Sequence, residues 1–145
     1  MKIWKQEFTL EGLQNISSNT LVDNFDIKFT EFGEDYLVAE MPVTYKNVQP
    51  MRILHGGASV ALAETVGSIG SALCLEDTTT HQAVGLDINA NHLRSVLEGG
   101  AVQAKATAVH IGRTTHVWQI DIRDKANDKL VCTSRLTMMI RKARG

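Results

Sequence analysis

The chain has 145 residues, of which 43% are apolar and 21% are charged, and its formal net charge is −1. This balance is typical of one soluble globular domain, which we expect to span residues 1–145. A near-neutral charge provides no overall surface for nucleic acid, and the N-terminal residues lack the apolar run of a signal peptide, so we expect a cytoplasmic protein. Cys74 and Cys132 have no CxxC spacing and are predicted to be buried free thiols.

The predicted elements begin with one or two short helices in residues 10–24, where Ser17, Ser18 and Asn19 are cap-type residues. Two strands follow around a turn at 33–35, and a long apolar helix comes after them. The remaining chain is dominated by strand patterns. The predicted strands are 26–32, 36–43, 82–97, 101–111, 114–123 and 130–140. Strands on both sides of one apolar helix predict an α+β fold, in which a curved antiparallel sheet wraps the helix.

The long helix is predicted in residues 53–75, which read ILHGGASVALAETVGSIGSALCL. Glu64 is the only Asp, Glu, Lys or Arg in this stretch. The stretch is long enough to raise the question of a membrane span, but a carboxylate inside a membrane is costly. We therefore interpret it as the buried helix of a soluble protein.

Two features of this helix indicate chemistry. The first backbone N–H groups after Gly56 and Gly57 would lack intrahelical partners, and such a helix end can stabilise the negative oxygen of an attacked carbonyl. A tight loop-to-helix turn explains the glycines equally well. Glu64 has no basic partner at helical spacing, which favours a functional carboxylate over one paired with an arginine. Ser68 lies one turn later on the same face.

The spacing of the two features suggests a dimer. Eight residues separate Gly56 from Glu64, which corresponds to roughly 12 Å along a helix at ~1.5 Å per residue. A single carbonyl group is unlikely to reach both residues in one chain. The simplest arrangement is a two-fold homodimer, in which the helix start comes from one subunit and the carboxylate from the other.

Three stretches resemble a known family: QPMRILHGGASVALAETVGS, VGLDINANHLRS and HIGRTTHVWQIDI. They are similar to the hotdog-fold acyl-CoA thioesterases, within the aryl-CoA group that includes 1,4-dihydroxy-2-naphthoyl-CoA hydrolases of menaquinone biosynthesis. The resemblance implies a hotdog fold, a homodimer that often pairs into a homotetramer, and hydrolysis of an aromatic or medium-chain acyl-CoA. It requires no metal and no cofactor.

The resemblance also implies roles for individual residues. The Gly56 N–H would polarise the thioester carbonyl, and Glu64 of the other subunit would act as nucleophile or general base. Gln49 and His55 would position the substrate and the glycine loop, and Ser68 would hold the water or the product. Taken singly, Arg94 and Arg113 would be interpreted as solvated surface charges. The residues expected to bind coenzyme A are Gly85, His92, Leu93, Arg94, Ser95, His110, Ile111, Gly112, Arg113, Thr114 and Thr115.

One stretch departs from the family pattern and leaves the acyl group open. After Gln49 and Pro50 such proteins often carry an aromatic residue and a glycine, whereas this chain has Met51 and Arg52. Two other functions remain as alternatives. The first is a non-catalytic protein that binds acyl-CoA, and the second is a hotdog dehydratase, for which no Asp/His pair can be assigned.

Overall fold

A computed structural model describes residues 1–144. The order of elements confirms the predicted α+β class. Two short helices precede two strands, one long helix follows, and four long strands complete the chain. The elements are α1 (Leu10–Ile16), α2 (Leu21–Asn24), β1 (Lys28–Phe32), β2 (Tyr36–Pro42), α3 (Gly56–Leu73), β3 (His81–His92), β4 (Ala101–Ile111), β5 (Thr115–Asp124) and β6 (Leu130–Lys142).

The six strands form one antiparallel sheet in the order β1-β2-β4-β5-β6-β3. Burial alternates along β4 and β5, because every second residue faces α3 and the core. The fully buried members of the two strands are Val102, Ala104, Ala106, Trp118, Ile120 and Ile122. A continuous core therefore lies between α3 and the middle of the sheet.

Two glycines allow α3 to lie close to the sheet. A Cβ atom on Gly67 would lie 2.5 Å from Leu136 Cδ2, and one on Gly70 would lie 2.8 Å from Trp118 Cη2. Trp118 donates a hydrogen bond from Nε1 to Ser71 Oγ at 2.7 Å, and its ring stacks on Trp4. Both tryptophans are thus packing residues that set the distance between α3 and the sheet.

The prediction that the third strand continues to residue 97 is wrong, because β3 ends at His92. β3 pairs with β6 from His81–Lys142 to His92–Cys132, and β6 itself begins at Leu130. β6 therefore offers no strand partner before Leu130, and residues 93–97 form a loop. The first short helices are likewise capped by Thr9 and Thr20, whereas Ser17 lies at the C-terminal end of α1.

The sheet ends at β3, which pairs with β6 on one side and with no other strand in residues 1–144. The strand is 12 residues long, and a bulge interrupts its register between Gly85 and Asp87. Leu86 at this bulge is 59% exposed. No helix in the described part of the chain is long and apolar enough to cross a membrane.

Candidate active site

The first turn of α3 leaves one backbone amide without a partner. His55 is the N-cap, and its Nδ1 accepts a hydrogen bond from the Gly57 N–H at 2.8 Å. The Ala58 and Ser59 amides both donate to the His55 carbonyl. The Gly56 N–H is the first of the helix and has no acceptor within residues 1–144. Because no acidic residue lies in this turn, the positive end of the helix dipole is also uncompensated.

The absence of a side chain at Gly56 makes room for the neighbouring His92 ring as well as for a ligand. A Cβ atom at this position would lie 2.9 Å from Nε2 of His92, whose imidazole fills the space above the glycine. His92 ends β3, so the edge strand brings its ring to the start of α3. Any side chain at position 56 would displace this ring and shield the amide.

The unpaired amide opens into a cavity of about 390 Å³, here called the Gly56 cavity. It brings together Gln49, Gly56 and the loop after His92, all of which were predicted to be site residues. Ser59, which is 2% exposed, is a further polar residue that the sequence analysis missed, although it lies one turn after Gly56. The lining residues are Gln49, Ile53, Leu54, Gly56, Ser59, His92, Leu93, Arg94, Ser95 and Val131.

The turn that carries Gln49 is held in a defined shape. The Gln49 side-chain oxygen accepts a hydrogen bond from the Met51 N–H, and no bond from its Nε2 is found among the described residues. Its amide hydrogens are therefore available to the cavity. Arg52 adopts a left-handed φ of 60° and makes a two-pronged ion pair with Glu98 at 2.8 and 2.9 Å. This pair could not be predicted from the sequence, because its members are 46 residues apart.

Glu64 lies two turns further along α3 and opens into a different cavity. This Glu64 cavity has a volume of about 400 Å³ and a largely apolar lining, to which α2 contributes two residues. The carboxylate takes part in none of the ion pairs among residues 1–144. The structural alternative of a carboxylate paired with an arginine is therefore excluded for the described chain. The lining residues are Leu21, Val22, Ala61, Glu64, Thr65, Ser68 and Ile69.

Two predicted residues adjoin this carboxylate. Ser68, one turn later, donates only to the Met138 sulfur at 3.6 Å, a weak hydrogen bond that a substrate or water could replace. Gly85 on β3 lies directly against Glu64, and a Cβ atom there would collide with Oε1. The structure thus places Gly85 beside the acid, where its missing side chain leaves room for the carboxylate.

The stretch from His110 to Thr115 lies at the opposite end of α3 from the Gly56 cavity. Its Arg113 lines a third cavity of about 460 Å³ together with Cys74 and His116. Burial raises the pKa of the Cys74 thiol to about 12, and it lowers the pKa of His116, whose Nδ1 has no hydrogen-bond partner. The structure therefore separates the two stretches that were predicted to bind coenzyme A, and the described residues contain no cluster suited to a metal ion.

Residues 51–131, more than half of the chain, match the family profile of the thioesterase superfamily. The chain belongs to the thioesterase superfamily. Its long helix against a six-stranded antiparallel sheet is the hotdog arrangement of that superfamily, and as a member it is a thioester hydrolase. The predicted family and fold are thus confirmed.

Individual thioesterases are similar over nearly the whole chain. The 1,4-dihydroxy-2-naphthoyl-CoA hydrolase of Escherichia coli is 46% identical over 138 residues, which cover 95% of this chain and 98% of that protein. A proofreading thioesterase of Cronobacter turicensis is 42% identical with the same coverage. The crystal structure of thioesterase HI1161 from Haemophilus influenzae superposes with a TM-score of 0.90 at 50% identity, covering 97% of this chain and 95% of that one.

Proposed function

We propose that this thioesterase hydrolyses an acyl-CoA with the Gly56 amide and the Glu64 carboxylate as its two principal groups. One observation supports this assignment above the others. α3 carries an unpaired N–H at its first residue and an unpaired, half-buried carboxylate two turns later, and each faces its own cavity. A donor for a developing oxyanion and a poorly solvated carboxylate are what thioester hydrolysis requires.

The proposal requires a homodimer, because the two groups do not meet in one chain. The free side of β3 can pair with the β3 of a second copy, which would extend the sheet across a two-fold axis. The two α3 helices would then run antiparallel, so the Gly56 cavity of one protomer would face the partner's Glu64. The His92–Ser95 loop of one protomer and the partner's Arg113 would approach each other in the same way. Further pairing of dimers would give the homotetramer.

The reaction can be written with these residues. The thioester oxygen accepts a hydrogen bond from the Gly56 N–H, which stabilises the negative charge that develops as the carbonyl carbon is attacked. Glu64 either attacks this carbon itself, forming an anhydride that water then opens, or removes a proton from an attacking water. The carbon–sulfur bond breaks in both routes, and its electron pair leaves with coenzyme A as a thiolate that is then protonated.

The other site residues would assist this step. His55 holds the glycine turn through its bond to the Gly57 N–H, and Gln49 directs its free amide hydrogens into the Gly56 cavity. Ser68 is available to hold the water or the released carboxylate because its present acceptor is a sulfur atom. These roles agree with the positions of the side chains in the single chain.

The apolar lining of the Glu64 cavity favours an aromatic or medium-chain acyl group. Leu21, Val22 and Ile69 supply apolar surface next to the carboxylate. The E. coli relative is named for a naphthoyl-CoA substrate, which makes 1,4-dihydroxy-2-naphthoyl-CoA, and hence menaquinone biosynthesis, one specific candidate. We place the reaction in the cytoplasm, where coenzyme A esters are used.

The proposal is tested by replacing Glu64 with Gln and following release of coenzyme A from benzoyl-CoA with a thiol-reactive dye. We expect kcat/KM to fall by ~100-fold or more, since the amide can neither attack nor accept a proton. Glu11→Gln, at an exposed position on α1, is the matched control. The two buried cysteines have raised pKa values, so their own reaction with the dye should be slow.

Circular dichroism and the elution volume establish that the variant is folded and assembled. Retention of activity in a folded Glu64→Gln protein would overturn the catalytic role. Tight calorimetric binding of acyl-CoA by the natural protein without any turnover would instead favour the non-catalytic alternative.

A further inference from the structure

The Ser68 hydroxyl is turned away from its own helix. A serine or threonine inside a helix commonly donates to the carbonyl four residues earlier, as Thr65 does to Ala61 at 2.6 Å. The Ser68 hydroxyl instead donates to the Met138 sulfur at 3.6 Å, and it makes no other hydrogen bond within residues 1–144. The carbonyl of Glu64, four residues before Ser68, does not receive this proton. The sheet therefore determines where the hydroxyl points.

Met138 is held between two neighbouring strands. Its side chain is fully buried, and it pairs in register with Gly85 on β3 and with His116 on β5. Gly85 is also the residue against which the Glu64 carboxylate lies. One cross-strand pair, Gly85 and Met138, thus contacts both polar side chains of α3 that line the Glu64 cavity near its acid: the glycine makes room for the carboxylate, and the methionine reaches the Ser68 hydroxyl.

The Met138 sulfur leaves the Ser68 oxygen free to accept a hydrogen bond. A thioether has no proton to donate, so the proton in this contact must be that of Ser68, and both lone pairs of the Ser68 oxygen remain available. Ser68 and Glu64 line the same cavity. A water molecule in that cavity can therefore donate one hydrogen to the Ser68 oxygen and the other to the Glu64 carboxylate.

We propose that Met138 is a positioning residue, which orients Ser68 to accept a hydrogen bond from the water used in thioester hydrolysis. The proposal rests on the function proposed above, in which this water either attacks the thioester or opens the anhydride. Met138 is fully buried and acts only through Ser68. Without the sulfur, the hydroxyl can turn back to the Glu64 carbonyl, and its oxygen leaves the position beside the water. Met138 therefore affects the chemical step and not the binding of acyl-CoA.

The test combines Met138→Leu with Ser68→Ala and follows the hydrolysis of benzoyl-CoA. Leucine keeps the volume of methionine but has no hydrogen-bond acceptor. We expect Met138→Leu to lower kcat about fivefold and to leave KM unchanged, since it misplaces a group that holds the water. In the Ser68→Ala background, which has no hydroxyl to orient, Met138→Leu should lower kcat no further. Met139→Leu is the matched control and should be fully active, because Met139 follows Met138 on β6 and points to the other face of the sheet.

Carbon-13 NMR of the methionine methyl groups supplies a second measurement that requires no turnover. The Met138 signal is identified by its absence from Met138→Leu, and we expect it to shift in Ser68→Ala while the Met139 signal does not. An unmoved Met138 signal, an unchanged kcat in Met138→Leu, or an equal fall in kcat in the Ser68→Ala background would overturn the positioning role. A shifted signal in a natural protein that releases no coenzyme A would instead refute the proposed function, and this inference with it.

Discussion

At the scale of single residues, the most informative contrast is between two neighbouring amides. The Gly57 N–H is already bonded to His55 Nδ1, whereas Gly56 lines a cavity and its N–H has no protein acceptor among the described residues. An unpaired donor at a helix start is a ready site for negative charge. The sequence could predict that the glycine pair opens the helix, but the capping imidazole distinguishes the two amides only in the structure.

Gly85 provides a residue-scale prediction. Gly85→Ala would drive a methyl group into the space now held by Glu64 Oε1 and displace the carboxylate. We expect kcat/KM for benzoyl-CoA to fall by ~10- to 100-fold, since a small misplacement of a reacting group is costly. The melting temperature should change little, because the methyl group meets only the far end of the flexible Glu64 side chain, which can move aside. A fully active Gly85→Ala protein would show that this contact does not position the acid.

His116 provides a prediction about pH. Its side chain is 2% exposed, and burial lowers its pKa, with His110 nearby adding to the effect and the Gly112 backbone opposing it. A histidine whose pKa is lower in the folded protein than in the unfolded chain favours the folded state while it is neutral. This stability is fully present above the unfolded pKa of about 6.5, and it is lost as the pH falls through the lower pKa of the folded protein.

Thermal unfolding followed between pH 7 and pH 5 measures this effect. The melting temperature of the natural protein should fall more steeply over this pH range than that of His116→Gln. Equal slopes for the two proteins would contradict the assignment, whatever their difference in stability at pH 7.

At the scale of elements, α3 depends on its N-cap. Asparagine can accept the Gly57 hydrogen bond as His55 does, whereas alanine cannot, and loss of an N-cap costs about 1 kcal/mol. If His55 acts only by holding the glycine turn, His55→Asn should keep stability and most activity, and His55→Ala should lose both. Denaturant unfolding and kcat/KM measure the two effects. An equal loss of activity in both variants would mean that the imidazole itself contacts the substrate.

The helices and strands also show which parts of the fold could be predicted from the sequence. The strand pattern of residues 101–111 and the apolar character of the long helix predicted β4 and α3 correctly, because both patterns depend on neighbours close in sequence. The end of β3 at His92 could not be predicted, since it is determined by where β6 begins. The contact between Glu64 and Gly85 likewise depends on which strand passes α3. The pairing of Arg52 with Glu98 depends on two loops that are 46 residues apart in the sequence.

At the scale of the whole molecule, the long helix separates the groups that the proposed reaction must combine. The Gly56 cavity lies at the start of α3, the Glu64 cavity lies along its side, and the cavity with Arg113 lies at its far end. The free edge of β3 offers a way to bring them together through a second copy. In that arrangement neither protomer contains a complete site, and each dimer contains two.

Mixing two inactive variants tests this central claim most directly. Gly56→Val shields the oxyanion donor with a side chain and displaces the His92 ring, and Glu64→Gln removes the carboxylate, so each homodimer should be inactive. Co-expression of the two chains should yield mixed dimers with one intact site each, which restores about a quarter of the natural activity when assembly is random. Activity that stays at the sum of the two separate variants, in mixed dimers shown to form, would contradict a site shared between subunits.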